Sequence, residues 1–365
     1  ERNDADAAFC RNPEGRGLSG RSALSLGLPR GLAIGCASLR AFHPGKPPSQ
    51  PRETQSEVHS KRFSSLNSFF SPPRCCSIVF FSAIAANCCA FAVLAEASPI
   101  VVSDDRGKTL TLEAPAQRIV ALAPYITELI YAAGAGGKLV GVSEYSDYPH
   151  EAKNMVRVGD AMRADIERIV MLKPDLVLAW RSGNHAGDIG KLEKFGTKVF
   201  VMEPEKLSDV PRLLRSIGKL AETSVAAGAA AEDFERRVEA LRKRYSRKRP
   251  VSVFYEIWNE PLMTVNGTHM ISNVLLLCGG ANAFAAARML TPVISAESLV
   301  AADPEVIISS VSQDGEWRRF EMLGAVRNHR VFFVQPELLE RQSPRILEGA
   351  SEVCKRLDNV RQADD

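Results

Sequence analysis

Beyond residue 97, the apolar positions of the chain follow two alternating patterns. Short apolar runs of strand length are separated by stretches in which apolar residues recur with helical spacing. The runs lie at 118–122, 139–142, 175–180 and 198–201, and the helical stretches lie at 126–133, 166–172 and 189–195. Strands that alternate with helices predict a largely parallel sheet with helices on both faces. A hairpin pattern, at 100–103 and 109–112, precedes them.

The middle of the chain has a helical pattern and no strand pattern. Two amphipathic stretches, 207–221 and 224–245, are followed by a basic run that ends at Pro250. The alternating pattern then resumes at 251–258 and continues to a final helix at 344–360. A long helical segment between two α/β regions indicates two lobes with a helix between them.

The two halves also resemble each other in sequence. Residues 167–178 and 297–308 both read as a helix beginning with Glu, then Pro, an acidic residue and an apolar strand. We interpret this as a duplication, with chance similarity between βα units as the alternative. The predicted fold is α/β, with two doubly wound lobes around largely parallel sheets, one long linking helix and a ligand cleft between the lobes. The predicted boundaries are 98–221 for the first lobe, 222–248 for the linking helix and 249–365 for the second lobe.

The first 97 residues have a different composition. Residues 1–72 are rich in Arg, Ser, Pro and Gly, so we expect a disordered or untranslated leader. In residues 73–97, Arg74 precedes an apolar stretch at 78–94, which is followed by Ala95-Glu96-Ala97. This order of features is typical of a secretory signal peptide and predicts export to the periplasm. An uncleaved segment that tethers the protein to the membrane is the alternative.

Charge and cysteine content change the picture in two ways. Residues 1–97 contain eleven Lys and Arg against seven Asp and Glu, whereas the rest contains 35 basic and 36 acidic residues. A protein whose folded part has no net positive charge is a poor partner for nucleic acid. Six of the eight Cys lie before residue 97, which leaves Cys278 and Cys354. In an exported protein such a pair forms either a disulfide or two buried free thiols.

Polar and aromatic residues follow several of the predicted strands. Ligands of open α/β sheets bind beyond the carboxyl ends of the strands, where Trp180 and Trp258 lie and where Tyr145 follows closely. These side chains predict an amphipathic cleft for a broad ligand, with core packing as the alternative for each. Arg341, after a later strand, is either a solvated charge or a partner of Glu337 or Glu340.

The sequence contains none of the enzyme motifs that such a fold often carries. It has no nucleophile elbow, no zinc-protease motif and no phosphate-binding loop. The four His beyond residue 97 are scattered, without metal-ligand spacing. We therefore expect neither catalytic residues nor a metal or cofactor. A periplasmic α/β enzyme and an interaction module remain as alternatives of other classes.

Three segments carry a resemblance to a known family. Residues 145–149 read Tyr-Ser-Asp-Tyr-Pro, residues 179–184 read Ala-Trp-Arg-Ser-Gly-Asn, and residues 340–345 read Glu-Arg-Gln-Ser-Pro-Arg. With these segments, residues 118–360 resemble the periplasmic binding proteins of ABC importers that have a single rigid linking helix. The first two segments are typical of the cobalamin-binding branch of that family.

The resemblance implies specific roles for individual residues. It implies that Tyr145 and Trp180 line the ligand face and that residues 337–341, which include Glu337 and Arg341, contribute contacts from the other lobe. Trp258 joins this predicted site from its position at a strand end. Cys278 and Cys354 match the disulfide positions of the family. Glu167 and Glu297, one in each lobe, match the carboxylates that dock onto a permease dimer in the inner membrane.

The resemblance also implies the ligand, which is the vitamin cobalamin or a related corrinoid carried by a monomeric protein. The chain departs from the pattern in several places. It reads Gly159-Asp160-Ala161 where the cobalamin-binding branch has a Trp, and Trp258 lies where that branch has none. A ferric siderophore or haem therefore remains an alternative ligand.

Overall fold

A computed structural model describes residues 98–160, 162–311 and 316–364 of the protein. The predicted leader at 1–72 and the predicted signal peptide at 73–97 lie outside the described residues.

The first lobe begins with the predicted hairpin and continues as a four-stranded parallel sheet. The strands of this lobe are β1 (Ile100–Ser103), β2 (Thr109–Leu112), β3 (Ile119–Ala121), β4 (Leu139–Val142), β5 (Leu176–Trp180) and β6 (Val199–Met202). The hairpin strands β1 and β2 are antiparallel, and the other four lie in the order β4-β3-β5-β6. The helices between the strands are α1 (Pro124–Ala132), α2 (Ile166–Met171) and α3 (Ala186–Lys194).

Two further helices follow the first sheet. They are α4 (Asp209–Leu220) and α5 (Ser224–Tyr245), the second of which has 22 residues. The predicted amphipathic stretches match them closely. The apolar residues of α4 lie on one face and are buried, because a period of 3.6 residues places them there.

The second lobe repeats the arrangement of the first. Its strands are β7 (Val251–Glu256), β8 (Trp258–Asn259), β9 (Leu262–Met263), β10 (Gly280–Asn282), β11 (Val306–Ser309) and β12 (Val331–Phe333). Its helices are α6 (Met270–Leu277), α7 (Ala296–Ala302), α8 (Gly324–Arg327), α9 (Pro336–Leu339) and α10 (Ile346–Asp364). The parallel order β10-β7-β11-β12 matches that of the first lobe, and β8 and β9 form a separate small hairpin.

Helix α5 connects the two lobes through its packing. It lies along α4 and also contacts α1 of the first lobe and α6 and α10 of the second. One large apolar cluster includes Phe200 of the first sheet, Phe234 of α5 and Tyr255 of the second sheet. Two smaller clusters cover the opposite faces of the two sheets. Two α/β lobes joined by one long helix confirm the predicted fold class.

A disulfide ties two helices of the second lobe together. Cys278, directly after α6, is bonded to Cys354 of α10, and both residues are fully buried. The pair is therefore a disulfide, as the resemblance implied, and the alternative of two free thiols is wrong. None of the helices in the described part of the chain combines the length and the apolar composition of a transmembrane span.

Candidate functional site

Two adjoining cavities lie between the lobes and are lined by residues of both. The first has a volume of about 350 Å³ and the second of about 510 Å³, and Pro336 and Glu337 line both. We call the two cavities the inter-lobe cleft. The other lining residues are Pro124, Tyr125, Tyr145, Trp180, Glu340, Arg341 and Gln342 in the first cavity, and Asp147, Tyr148, Phe333, Gln335 and Arg345 in the second.

Trp180, the last residue of β5, forms part of one wall of the cleft. Its indole lies edge-on to the ring of Tyr125, with ring centroids 5.8 Å apart. Its Nε1 donates a hydrogen bond of 3.4 Å to Glu203, whose carboxylate also accepts from the backbone and hydroxyl of Ser182. The indole is therefore held in place by an aromatic contact on one side and a carboxylate on another.

The loop after Trp180 keeps its shape through a buried amide. Asn184 accepts a 2.7 Å hydrogen bond from the backbone N–H of Trp180 and donates one of 2.9 Å to the carbonyl of Leu122. The residue before it must be small, because a Cβ on Gly183 would lie 1.8 Å from the indole ring. The sequence Trp-x-x-Gly-Asn therefore allows the loop after Trp180 to pack directly against the Trp180 indole.

Tyr145 lies on the loop after β4, and 77% of its surface is exposed. Its φ of 62° is in the left-handed region, which a tyrosine seldom adopts, so contacts elsewhere must hold this loop. Buried Ser146 provides one, because its hydroxyl bonds those of Thr127 and Ser143 at 3.1 and 3.2 Å. Arg157 adds two more hydrogen bonds from its guanidinium, to the carbonyls of Ser143 and Ser146.

Arg341 of the second lobe reaches across the cleft to the first. Its Nη1 donates to Glu128 at 2.9 Å and to Asp147 at 2.6 Å, and its Nη2 donates to the Tyr145 carbonyl at 3.1 Å. The two alternatives to a ligand contact, a solvated charge and a pair with Glu337 or Glu340, are wrong. The side chain is long enough to cross the cleft, and its carboxylate partners lie on the other lobe.

Two more residues of the second lobe contact the same carboxylate. Ser343 donates a 2.5 Å hydrogen bond to Oε2 of Glu128, and Arg345 donates one of 3.3 Å to Oε1. The guanidinium of Arg345 also lies 4.0 Å from the ring centroid of Tyr148, in cation–π geometry. We call Glu128, Asp147, Arg341, Ser343 and Arg345 the inter-lobe cluster.

The ionisation of several cleft residues is shifted by their surroundings. Burial opposes ionisation of Asp147, but the hydrogen bond and charge of Arg341 outweigh it and lower the pKa of the carboxyl. Burial raises the pKa of Glu340, which lies near the Tyr255 hydroxyl at 3.4 Å. Burial also raises the pKa of Tyr125 well above its ordinary value, and its hydroxyl has no hydrogen-bond partner among the described residues.

The structure brings most of the predicted ligand-binding residues together. Tyr145, Trp180, Glu337 and Arg341 all line the first cavity. Trp258 does not line either cavity; it lies in the small hairpin of β8 and β9, 54% exposed, with its Nε1 bonded to the carbonyl of Glu260. Its role in ligand binding remains a prediction.

The two predicted docking carboxylates occupy equivalent positions. Glu167 and Glu297 are both exposed and lie in the first turns of α2 and α7. The residue two positions before each Glu, Asp165 or Ser295, caps the N-terminus of the helix with its side chain. Bonding to Ser295 lowers the pKa of Glu297. Among the described residues, no group of three or more His, Cys, Asp or Glu could hold a metal ion.

Comparison with known proteins places this architecture in a family. The family model described as "Periplasmic binding protein" matches residues 119–338, which include both sheets and most of the cleft. The chain belongs to the periplasmic binding protein family. This membership confirms the resemblance seen in the sequence and the expectation that the chain is a solute-binding protein rather than an enzyme.

Individual relatives of this periplasmic binding protein are known by sequence and by structure. It is 35% identical over 270 residues to the vitamin B12-binding protein of Vibrio campbellii, covering 73% of this chain and 97% of that protein. The crystal structure of the periplasmic vitamin B12 binding protein BtuF of Vibrio cholerae matches with a TM-score of 0.64 and 35% identity, over 68% of this chain and 98% of that one. The haem-binding protein RhuT of Roseiflexus sp. RS-1 shares the fold, with a TM-score of 0.61 and 22% identity over 67% and 99% of the two chains.

Sequence reasoning missed the centre of the inter-lobe cluster. Glu128 and Arg345 had no predicted role, although Glu128 is the one charged residue within α1. A carboxylate on an otherwise largely apolar helix needs buried partners, because leaving it without them in the interior is costly. That signal could have singled out Glu128, but not the residues that bind it.

Proposed function

We propose that this protein captures cobalamin or a related corrinoid in the periplasm and delivers it to the permease of an ABC importer. The observation that carries the proposal is the inter-lobe cleft, with Tyr145 and Trp180 on one side and Glu337 and Arg341 on the other. Aromatic faces combined with a few polar groups suit a broad, partly apolar ligand such as a corrin ring. The relatives described as vitamin B12-binding proteins support the same ligand.

The charges of the cleft favour a corrinoid over haem or an anionic siderophore. Arg341 and Arg345 are the two basic residues that line the cavities, and both bond Glu128. A guanidinium already bonded to carboxylates has less to offer the propionates of haem or the oxygens of an anionic siderophore. Carboxylates such as Glu337 would repel such ligands, whereas a corrin ring with amide side chains carries no negative charge on those groups.

Delivery would occur without a chemical step in this chain. We propose that export through the segment at 73–97 places the protein in the periplasm as a monomer. Glu167 and Glu297 would then contact basic residues on the two halves of a permease dimer, and ATP hydrolysis by another subunit would drive release. Equivalent carboxylates on two similar lobes are the geometry that a two-fold symmetric partner requires.

Calorimetric titration tests the ligand. We expect the protein purified from the periplasm to bind cyanocobalamin one-to-one and to bind haem and a ferric siderophore much more weakly. Trp180→Ala should weaken cobalamin binding, whereas Phe195→Ala should not, because Phe195 is an exposed aromatic that lines neither cavity. Binding of haem or the siderophore instead of cobalamin would reassign the ligand, and no binding of any of the three would refute the proposal.

Transport into proteoliposomes tests the docking residues. With the partner importer in the membrane, Glu167→Ala and Glu297→Ala should each slow cobalamin uptake without changing cobalamin affinity. Glu232→Ala, at an exposed acidic position on α5, is the matched control and should transport normally. Normal uptake by the double Glu167→Ala, Glu297→Ala variant would disprove the docking assignment.

A further inference from the structure

Glu128 is a deeply buried carboxylate whose side-chain partners lie in the other lobe. Its side chain is 2% exposed, and it accepts hydrogen bonds from Arg341, Ser343 and Arg345. These donors follow it by 213 to 217 residues in the sequence. Helix α1, which carries Glu128, has no other charged residue.

The burial of Glu128 is tied to the contact between the lobes. A carboxylate buried without donors is strongly unfavourable, and here each of the three side-chain donors belongs to the second lobe. Separating the lobes would remove them together. It would also leave Arg341 and Arg345 without Glu128, and both of these side chains are largely buried.

The same arginines hold the ligand-facing loop of the first lobe. Arg341 donates to the carbonyl of Tyr145 and to Asp147, and Arg345 stacks on Tyr148. On its other side the loop is bonded to α1, since Ser146 contacts Thr127, the neighbour of Glu128. The loop therefore lies between α1 and the second lobe, and Glu128 joins those two.

We propose that Glu128 is a positioning residue that latches the two lobes together and so holds the Tyr145–Tyr148 loop in its ligand-binding geometry. The latch sets the separation of the lobes before any ligand binds. Its effect on affinity rests on the proposed function, because it requires a ligand that contacts the loop. Its effect on the lobe separation does not, so the two can be tested separately.

The ligand-free test measures the distance between the lobes. Spin labels replace Met171 in the first lobe and Met322 in the second, both exposed, in the full exported protein. Pulsed electron resonance should give a narrow distance distribution for the parent protein and a broader, longer one for Glu128→Gln. Glu193→Gln is the matched control, because Glu193 also bonds two cationic side chains, Arg106 and Lys108, but within one lobe. It should leave the distribution unchanged.

The ligand-bound test measures cyanocobalamin dissociation. Glu128→Gln should raise the dissociation rate about tenfold or more, since loss of a prepared binding geometry acts mainly on that rate. Arg345→Gln should have a similar effect, and the double variant should be little worse than either single one, because all break the same latch. A role confined to packing within α1 would give additive losses and no change in the distance between the lobes.

Several outcomes would overturn the proposal. An unchanged distance distribution in folded Glu128→Gln would do so, as would additive effects in the double variant. If Glu128→Gln fails to fold, Ser343→Ala and Arg345→Gln decide the question by the same two measurements, and an unchanged distribution in both would reject the latch. If the parent protein binds no cobalamin, the proposed ligand is wrong, and the spin-label experiment still tests the latch.

Discussion

Gly183→Ala should displace the Trp180 indole from the wall of the inter-lobe cleft through a single added methyl group. A Cβ at this position would lie 1.8 Å from Cε3 and 2.2 Å from Cζ3 of the Trp180 indole. Non-bonded carbon atoms prefer a separation of about 3.5–4.0 Å, so the ring or the loop must move by roughly 2 Å. The backbone of Gly183 is not in the left-handed region, which leaves the indole as the obstacle to an alanine.

The indole cannot yield without losing other contacts. It rests against the ring of Tyr125, and its Nε1 is bonded to Glu203. Overpacking of this kind costs about 1–3 kcal/mol. About 1.4 kcal/mol corresponds to a tenfold change in affinity. If this cost is borne by a displaced Trp180 indole in the wall of the inter-lobe cleft, cobalamin binding should weaken by about tenfold or more.

Titration calorimetry and urea unfolding on two glycine variants test this reasoning. Gly190→Ala is the control, because Gly190 lies in α3 with open space where its Cβ would be. It should bind cobalamin as the parent does and gain about 0.5–1 kcal/mol of stability, as expected for a glycine replaced inside a helix. If Gly183→Ala binds cobalamin as tightly as the parent, or if Gly190→Ala is equally impaired, the argument from the indole contact is refuted.

Three further predictions concern stability and are measured by urea unfolding. Replacing both Cys278 and Cys354 by Ser should lower the free energy of unfolding by about 4 kcal/mol, since the bond closes a loop of 76 residues; unchanged stability would contradict this. Burial lowers the pKa of His269 to about 4, so its contribution should be lost as the pH falls from about 6.5 toward 4, and His269→Asn, which keeps a helix cap, should flatten that decline. Burial raises the pKa of Glu340, so the folded state disfavours its ionised form and the carboxyl destabilises the protein as the pH rises. The gain in unfolding free energy from Glu340→Gln over the parent should therefore be larger at pH 7 than at pH 4, and an equal effect at both pH values would contradict this prediction.

The fold could be predicted well from the sequence because its strands are buried on both sides. Continuous apolar runs mark β4 and β5 within a residue or so of their bounds, and the hairpin of β1 and β2 was predicted at its observed position. Strand β10 was missed, since Gly-Ala-Asn carries no apolar pattern and pairs through its backbone alone. The short hairpin of β8 and β9 was missed because each strand has only two residues, which is too few to show a periodic pattern.

The site could be predicted only where its signal is local. Trp180 follows a strand, and the general rule for parallel sheets therefore pointed to it. The partners of Arg341 were sought among its neighbours Glu337 and Glu340, but they lie in the first lobe, about 200 residues earlier. Pairing across such a distance depends on how the lobes are placed, which no periodicity or motif in the chain specifies.

The internal repeat extends from sequence to the geometry of individual residues. In each lobe a residue in the left-handed conformation, Lys173 or Asp303, follows the short helix and precedes Pro. The acid that follows accepts a hydrogen bond from the backbone at the start of the central strand: Asp175 from Arg118, and Glu305 from Ser252. These contacts fix how each helix connects to the strand that follows it. Glu167 and Glu297 therefore project from corresponding places because the same local interactions position both, and a partner with two-fold symmetry could contact them in the same way.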